Sequence, residues 1–375
     1  MATDSIGLYI HIPYCVRKCN YCDFCSLPIG TRTVPDTYVN KLCEEIRSYN
    51  QENKTKTMLS TVYIGGGTPS LLTAEQLNFI FDAVNDCFEI PEDCEITIEV
   101  NPGTLTCEKA ATFKRLGINR VSVGLQSIHE KELKKLGRIH SYDDFITSYH
   151  ILRDAGISNI NVDLMYGIPY QSKESFVSTL HEIVALAPEH ISAYGLIVED
   201  GTRFGDERQT LILPNTDTEC DMYDICRDIL ARTGYIHYEI SNYARSGYES
   251  RHNLIYWHMN EYIGVGAAAH SYYLGKRYFN TADVNEYISL PSVNHIITEE
   301  SEDDLKYEYA MLRLRLKEGF SLSEYRRKFG ASFTEGKEQI MSRLSSDGLI
   351  SLTDDRIALT EKGFYLSNAI LVEIL

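Results

Sequence analysis

Tyr9-Ile10-His11-Ile12-Pro13-Tyr14-Cys15-Val16-Arg17-Lys18-Cys19-Asn20-Tyr21-Cys22 is the stretch from which the rest of the chain is read. A β-prone run from Leu8 to Ile12 is halted by Pro13, and three cysteines follow with the spacing C-x3-C-x2-C. A strand that runs straight into a reactive loop is how β/α architectures present chemistry, at the C-terminal ends of their strands. Runs of the same kind recur at Thr61 to Ile64, Ile96 to Val100, Arg120 to Val123, Ile160 to Leu164 and Ile191 to Leu196. Each is short and rich enough in branched or aromatic residues to be a buried strand. Helix-period segments accompany them: Ala74 to Phe88, Asp143 to Ala155, Glu174 to Ala187 and Thr216 to Arg232. Thr73 with Gln76 predicts a capping box, and Gly117, Gly156 and Gly234 mark helix ends. Strands alternating with helices predict an α/β fold, a parallel sheet with right-handed crossovers closed or nearly closed as a TIM-like barrel. An open doubly wound sheet is the alternative. Leu116 to Ser127 and Ala155 to Pro169 echo one another, each with a glycine helix end, a short turn, an apolar strand and a polar exit, which suits repeated β/α units.

The 375 residues exceed the length at which one core stops growing, roughly 250 to 300, so a large domain with a smaller appendage is expected. From Asp303 the texture turns helical, and Ile340 to Leu349 leads through Ile350-Ser351-Leu352 and Ile357-Ala358-Leu359 toward Phe364, the order of a small α+β winged-helix module. The expected division is 1–235 for the barrel, 236–302 for a connecting region and 303–375 for the winged-helix-like domain. Residues 301–375 hold 11 Lys and Arg against 13 Asp and Glu, and the whole chain has a formal charge of −17, which argues against nucleic acid as a partner. Met1 to Pro13 has no signal-peptide pattern and no run of 18 apolar residues occurs, so a cytoplasmic protein without a transmembrane segment is expected. Reduced thiols follow from that compartment. Cys43, Cys87, Cys94, Cys107, Cys220 and Cys226 are scattered and read as small buried hydrophobes.

Cys15, Cys19 and Cys22 suit a 4Fe-4S cube, in which three thiolates leave one iron without a protein ligand. That corner can chelate the amino and carboxylate groups of S-adenosylmethionine, whose sulfonium bond an electron then splits. Tyr21 is placed to pack on the adenine. Cys25 keeps another reading open, because C-x3-C-x2-C-x2-C would bind zinc or a closed electron-transfer cluster. The other strand exits are Gly65-Gly66-Gly67-Thr68-Pro69, Glu99 with Asn101-Pro102, Gln126, and Asp163 with Tyr166-Gly167. Glycines permit close backbone approach to a ligand, while Glu99, Gln126 and Asp163 could hydrogen-bond ribose or the methionyl end. Any one of them alone reads as a turn residue or cap; together they form one rim.

With its C-x3-C-x2-C and GGGTP motifs, the chain resembles radical S-adenosylmethionine enzymes of the oxygen-independent coproporphyrinogen III oxidase family, over nearly its whole length. The resemblance implies a partial (β/α)6 barrel, with Tyr9, Gly66, Gly67, Thr68, Glu99, Gln126, Arg138 and Asp163 at positions that contact S-adenosylmethionine. Arg138 by itself reads as a surface charge. The family also contains a branch, HemW, regarded as haem chaperones. True oxidases carry an N-terminal extension and a further cysteine two residues beyond the third cluster cysteine, where this chain has Phe24. Arg251-His252-Asn253-Leu254-Ile255-Tyr256-Trp257 reproduces the H-N-x-x-Y-W motif of the HemW branch, with the only tryptophan of the chain. Resemblance to that branch implies haem as cargo held by His252, Asn253, Tyr256 and Trp257, passed to haem-acceptor proteins such as respiratory ones, with an electron donor for the cluster. Read from the residues alone, His252 is a satisfied core histidine and the aromatics are packing. Porphyrinogen oxidation and a non-catalytic four-cysteine module are the competing functions. His270, in a small-residue stretch, has no role assigned by the sequence.

Overall fold

The computed structural model describes residues 5–49, 56–291 and 295–375; of the N-terminal stretch read for a leader, residues 1–4 lie outside these. Six parallel strands form its centre: β1 (Ser5–Ile12), β2 (Thr57–Gly66), β3 (Glu95–Val100), β4 (Arg120–Gln126), β5 (Asn159–Tyr166) and β6 (His190–Gly195). Each pairs with the next in chain order. A doubly wound sheet reverses its strand order at a switch point, so this monotonic order excludes the open alternative. Right-handed crossovers then place the helices on one face. The principal ones are α1 (Asp36–Ser48), α2 (Ala74–Cys87), α3 (Cys107–Arg115), α4 (Tyr142–Asp154), α5 (Lys173–Ala185) and α6 (Thr216–Arg232).

The strands carry this arrangement in their side-chain alternation. Leu8, Ile10, Val62, Ile64, Ile98, Val121, Val123, Ile160 and Val162 are fully buried in the main core. The intervening residues are polar or aromatic and bond to one another across strands: Tyr63 to Glu99, Ser122 to Asp163, Asn161 to Ser122, and His190 to Asn161. Parallel strands buried on both faces read as nearly continuous hydrophobic runs. Alternation here means that one face packs on helices while the other lines a polar interior.

At the edges β1 pairs in parallel with Tyr262–Val265, from which antiparallel strands continue, and β6 pairs with Asn242–Ala244. β1 and β6 do not pair with each other, so the barrel is partial. The capping box at Thr73 and Gln76 is present at the start of α2. Gly117 and Gly156 both end helices with φ of +78° and both stand three residues before a strand, so the sequence echo corresponds to two neighbouring β/α units.

A short helix, α7 (Arg251–Trp257), lies against the N-terminal ends of β1 to β3. The buried Glu95 carboxylate accepts from the amides of Arg251 and His252, each at 3.0 Å. Gly7 gives α7 room, since a Cβ there would stand 2.7 Å from Ile255 Cδ1. Beyond Glu302 the helices Glu302–Arg313, Leu322–Phe329 and Glu338–Ser346 pack on a small sheet of Phe320–Ser321, Arg356–Leu359 and Ile350–Leu352, the winged-helix-like order expected. Their core of Tyr309, Phe320, Tyr325, Phe333, Ile357 and Phe364 also takes in Tyr223 of α6 and Met259, which ties it to the barrel. Among the described residues no helix is long and apolar enough to cross a membrane.

Candidate functional site

A cavity of about 140 Å³ opens at the C-terminal ends of the parallel strands. Cys15, Cys19 and Cys22 line it together with Tyr21, Gly66, Gly67, Thr68, Glu99, Gln126, Arg138 and Asp163. Tyr9 lies one layer deeper, its hydroxyl bonded to His11 Nδ1 at 2.9 Å and its ring stacked on Tyr63. Cys25, although only three residues past Cys22, does not line the cavity. Its thiol donates to the backbone carbonyl of Ala282 at 3.2 Å.

The glycine loop after β2 is stitched to the cysteine loop: Gly67 N donates to Ile12 O at 2.8 Å and Thr68 N to Tyr14 O at 2.7 Å. Gly66 has φ of +109°, and a Cβ there would lie 2.5 Å from the His11 ring, so only glycine fits the turn. The amide it presents donates to Glu99 Oε2 at 3.0 Å while the Tyr63 hydroxyl donates to Glu99 Oε1 at 2.8 Å. Burial, with Asp163 nearby, still raises the Glu99 carboxyl to about 7. Asp163 is also pushed up by burial, against the hydrogen bonds from Asn161, Ser192 and Ser122.

Arg138 follows a short helix, Glu130–Leu136, whose terminal Gly137 is left-handed. Asn20 of the cysteine loop packs on that turn, its amide donating to Leu136 O and its side chain to Lys135 O, both at 2.9 Å. The guanidinium is thereby turned inward: Nη1 donates to Cys19 Sγ at 3.6 Å and Nη2 to Asn101 Oδ1 at 2.9 Å, as well as to Gly124 O. Asn101 in turn donates to Thr68 Oγ1 at 2.8 Å. Asn101, which the sequence marks only as a strand exit, is a bridge, and Ser122 and Tyr194 line the cavity without a motif that marks them as ligand contacts. Their signal is position, since Asn101 directly follows β3 and Tyr194 is next to last in β6.

Among the described residues no Cys, His, Asp or Glu trio converges on a single ion. Three thiols spread around one cavity suit a cube better than a lone metal ion. The donor set also leaves buried atoms without partners, Gln126 Oε1 and Arg138 Nε, at the rim where a polar ligand would meet them. Gln126 is held at φ of +68°, uncommon for a residue with a side chain and characteristic of functional strain. These residues fit a cluster with S-adenosylmethionine beside it.

The H-N-x-x-Y-W segment is elsewhere. His252 is 1% exposed, with Nδ1 bonded to Thr61 Oγ1 at 2.6 Å and Nε2 to the Tyr256 hydroxyl at 2.8 Å. Its ring stacks on Tyr63 at 5.0 Å, and burial, with Arg120 nearby, lowers its pKa to about 3. Neither nitrogen is free to meet an iron in this conformation, as in the residue-level reading of a satisfied core histidine. Asn253 lies in the same short helix, its amide on Ser250 Oγ, and Trp257 Nε1 is buried without a partner. His270 lies on the exposed edge strands, stacked on Phe279.

The model for the radical SAM superfamily matches residues 9–183, and that for the HemN C-terminal domain matches 301–366. Heme chaperone HemW of Lactococcus lactis subsp. lactis is 37% identical over 371 residues, 98% of this chain and 96% of that protein. Heme chaperone HemW of Bacillus subtilis is 36% identical, over 96% of this chain and 97% of that protein. The structure of coproporphyrinogen III oxidase (HemN) from Escherichia coli superposes with a TM-score of 0.83 at 22% identity, covering 99% of this chain and 90% of that one, a likeness of fold.

Proposed function

The chain belongs to the HemW family of the radical SAM superfamily, and from that premise we propose that it is a haem chaperone, binding haem and passing it to acceptor proteins. The observation that carries this reading is the 37% identity along 98% of the chain to a heme chaperone, against a likeness of fold alone to the porphyrinogen oxidase. The superfamily's cofactors are a 4Fe-4S cluster and S-adenosylmethionine. When bound, they supply an open iron and an electron toward a sulfonium bond.

The protein's own part in that site is to hold and orient. Cys15, Cys19 and Cys22 would ligate the cluster, and Arg138 would hold Cys19 by its Nη1 donor. Thr68, Asn101 and Arg138 form one bonded chain across the rim, fixing three strand exits relative to the cysteine loop. Glu99, bonded to the Gly66 amide, would receive the ligand's amino group, while Gln126, Asp163 and Tyr21 would meet the ribose and adenine. The haem contacts expected at His252, Asn253, Tyr256 and Trp257 require α7 to rearrange, because both imidazole nitrogens are bonded inside the barrel. In the observed conformation the His252 ring supports Tyr63, and through it Glu99.

Haem acceptors, a one-electron donor to the cluster and a cytoplasmic location complete the proposal. All ten cysteines are unpaired, in keeping with a reducing compartment. Anaerobic titration with hemin, paired with a coproporphyrinogen III oxidase assay on the same preparation, tests it. A saturable Soret change without oxidase turnover is expected. Robust conversion of coproporphyrinogen III with release of 5′-deoxyadenosine would overturn it.

A further inference from the structure

A haem site needs a cleft of porphyrin size, a nitrogen lone pair, flat apolar surface and cations for two propionates. α7 offers none of these in an open form, but a groove beside the cofactor cavity offers all four. It measures about 1010 Å³, at the upper end of the roughly 300–1,000 Å³ of small-molecule clefts. It runs between the helix Glu130–Leu136 and the turn Pro169–Ser172 with the first turn of α5, and it shares Arg17 and Arg138 with the cavity lined by the cluster cysteines.

His129 stands on its wall. Nε2 meets the backbone carbonyl of Ser175 at 3.0 Å. A carbonyl only accepts, so Nε2 carries the proton and Nδ1 keeps the lone pair. That is how metal-binding histidines are prepared, the second nitrogen donating to a carbonyl or carboxylate. Although His129 is the N-cap of its helix, its side chain makes no capping bond.

Lys131, Lys134 and Lys135 follow on the same helix at spacings that share a face, and Arg17 adds a fourth cation. None of the four makes an ion pair among the described residues. Of the groove's glutamates, Glu132 is buried under Ser127, Gln171 and Ser175, and Glu207 is paired with Arg203. Glu130 and the buried Glu132 carboxylate oppose Arg17 and the three lysines, which still leaves a local excess of positive charge on a chain of net −17. Tyr170 supplies the flat surface. It is 64% exposed, is held at φ of +67°, and has the Lys135 ammonium 5.7 Å from its ring centroid. A bulky residue kept exposed in the left-handed region is the kind of outlier found at ligand clamps.

We infer that haem docks in this groove, with His129 Nδ1 as its iron ligand, Tyr170 against the macrocycle, and Lys131, Lys134 and Lys135 on the propionates. The inference rests on the haem-handling reading and gives it a site next to the cluster loop. Hemin titration of the full-length protein tests it, followed by the Soret band and by electron paramagnetic resonance of the iron. Wild type should show a histidine-ligated spectrum, and His129→Gln should lose it and bind at least about tenfold more weakly, about 1.4 kcal/mol.

The triple variant K131A/K134A/K135A, on an exposed face, provides a second arm. It should bind hemin more weakly than wild type yet bind hemin dimethyl ester, whose propionates are uncharged, as wild type does. Circular dichroism establishes that both variants are folded. No binding by wild type would remove the haem reading itself. Binding by wild type that both variants retain, or a spectrum lost only in His252→Ala, would overturn this groove and leave the reading standing.

Discussion

Cys25 and His252 show how much a residue's meaning depends on where its atoms point. Cys25 has the spacing of a fourth ligand, but its thiol donates to Ala282 O outside the cavity. We predict that Cys25→Ala retains full iron and acid-labile sulfide after anaerobic reconstitution, whereas Cys15→Ala, Cys19→Ala and Cys22→Ala each lose the cluster absorbance. Equal loss in Cys25→Ala would restore the four-cysteine module. His252 has its pKa lowered to about 3 by burial and by Arg120, from an unfolded value of about 6.5. A depressed histidine contributes stability above its unfolded pKa and gives it up as pH falls toward the folded value. The stability gap between wild type and His252→Gln should therefore be widest near pH 7.5 and narrow by about 2 kcal/mol by pH 5, at about 1.4 kcal/mol per pH unit below 6.5. Denaturant unfolding at the two pH values measures it, and a gap independent of pH would show that His252 is not buried neutral.

The glycine loop after β2 and the helix α7 act from opposite ends of the same strands. Gly66 turns at φ of +109° against a His11 ring that is itself fixed by Tyr9 and by Cys25 O. Gly66→Ala should cost about 1–3 kcal/mol in backbone conformation alone, with the clash added, and should weaken S-adenosylmethionine binding by displacing the amide from Glu99. Chemical denaturation and isothermal titration check the two effects. Unchanged affinity would separate the loop from the ligand site. At the other end α7 closes the barrel by giving its first amides to Glu95 and its histidine to Thr61. The alternation of polar and apolar residues in β1 to β6 follows from a helix layer on one face only. One face of the sheet never meets a helix layer, so polar residues there can bond to one another around a site.

At the scale of the whole molecule, two cores are joined through Tyr223 and Met259 and through the bridge between Glu239 and Leu316. Phe320 lies fully buried in the C-terminal core. Phe320→Ala should cost about 3–5 kcal/mol. Hydrogen exchange should place the loss in 302–375 while the amides of β1 to β4 keep their protection; uniform loss would mean that the two cores unfold as one. The six central strands, four of the six principal helices, the capping box at Thr73, the winged-helix order and the three-cysteine loop were legible in the sequence, because period, caps and spacing are written within a few neighbouring residues; Asp36–Ser48 and Cys107–Arg115 were not read as helices. The sequence by itself therefore determined the α/β class and the location of the reactive loop. Tertiary structure decided that Cys25 leaves the site, by which contacts Arg138, marked only by family resemblance, reaches the site, and which of two open readings of His252 describes its surroundings. Those outcomes rest on contacts spanning 257, 119 and 191 residues, and local pattern carries no information about which distant atom will satisfy a buried donor or acceptor.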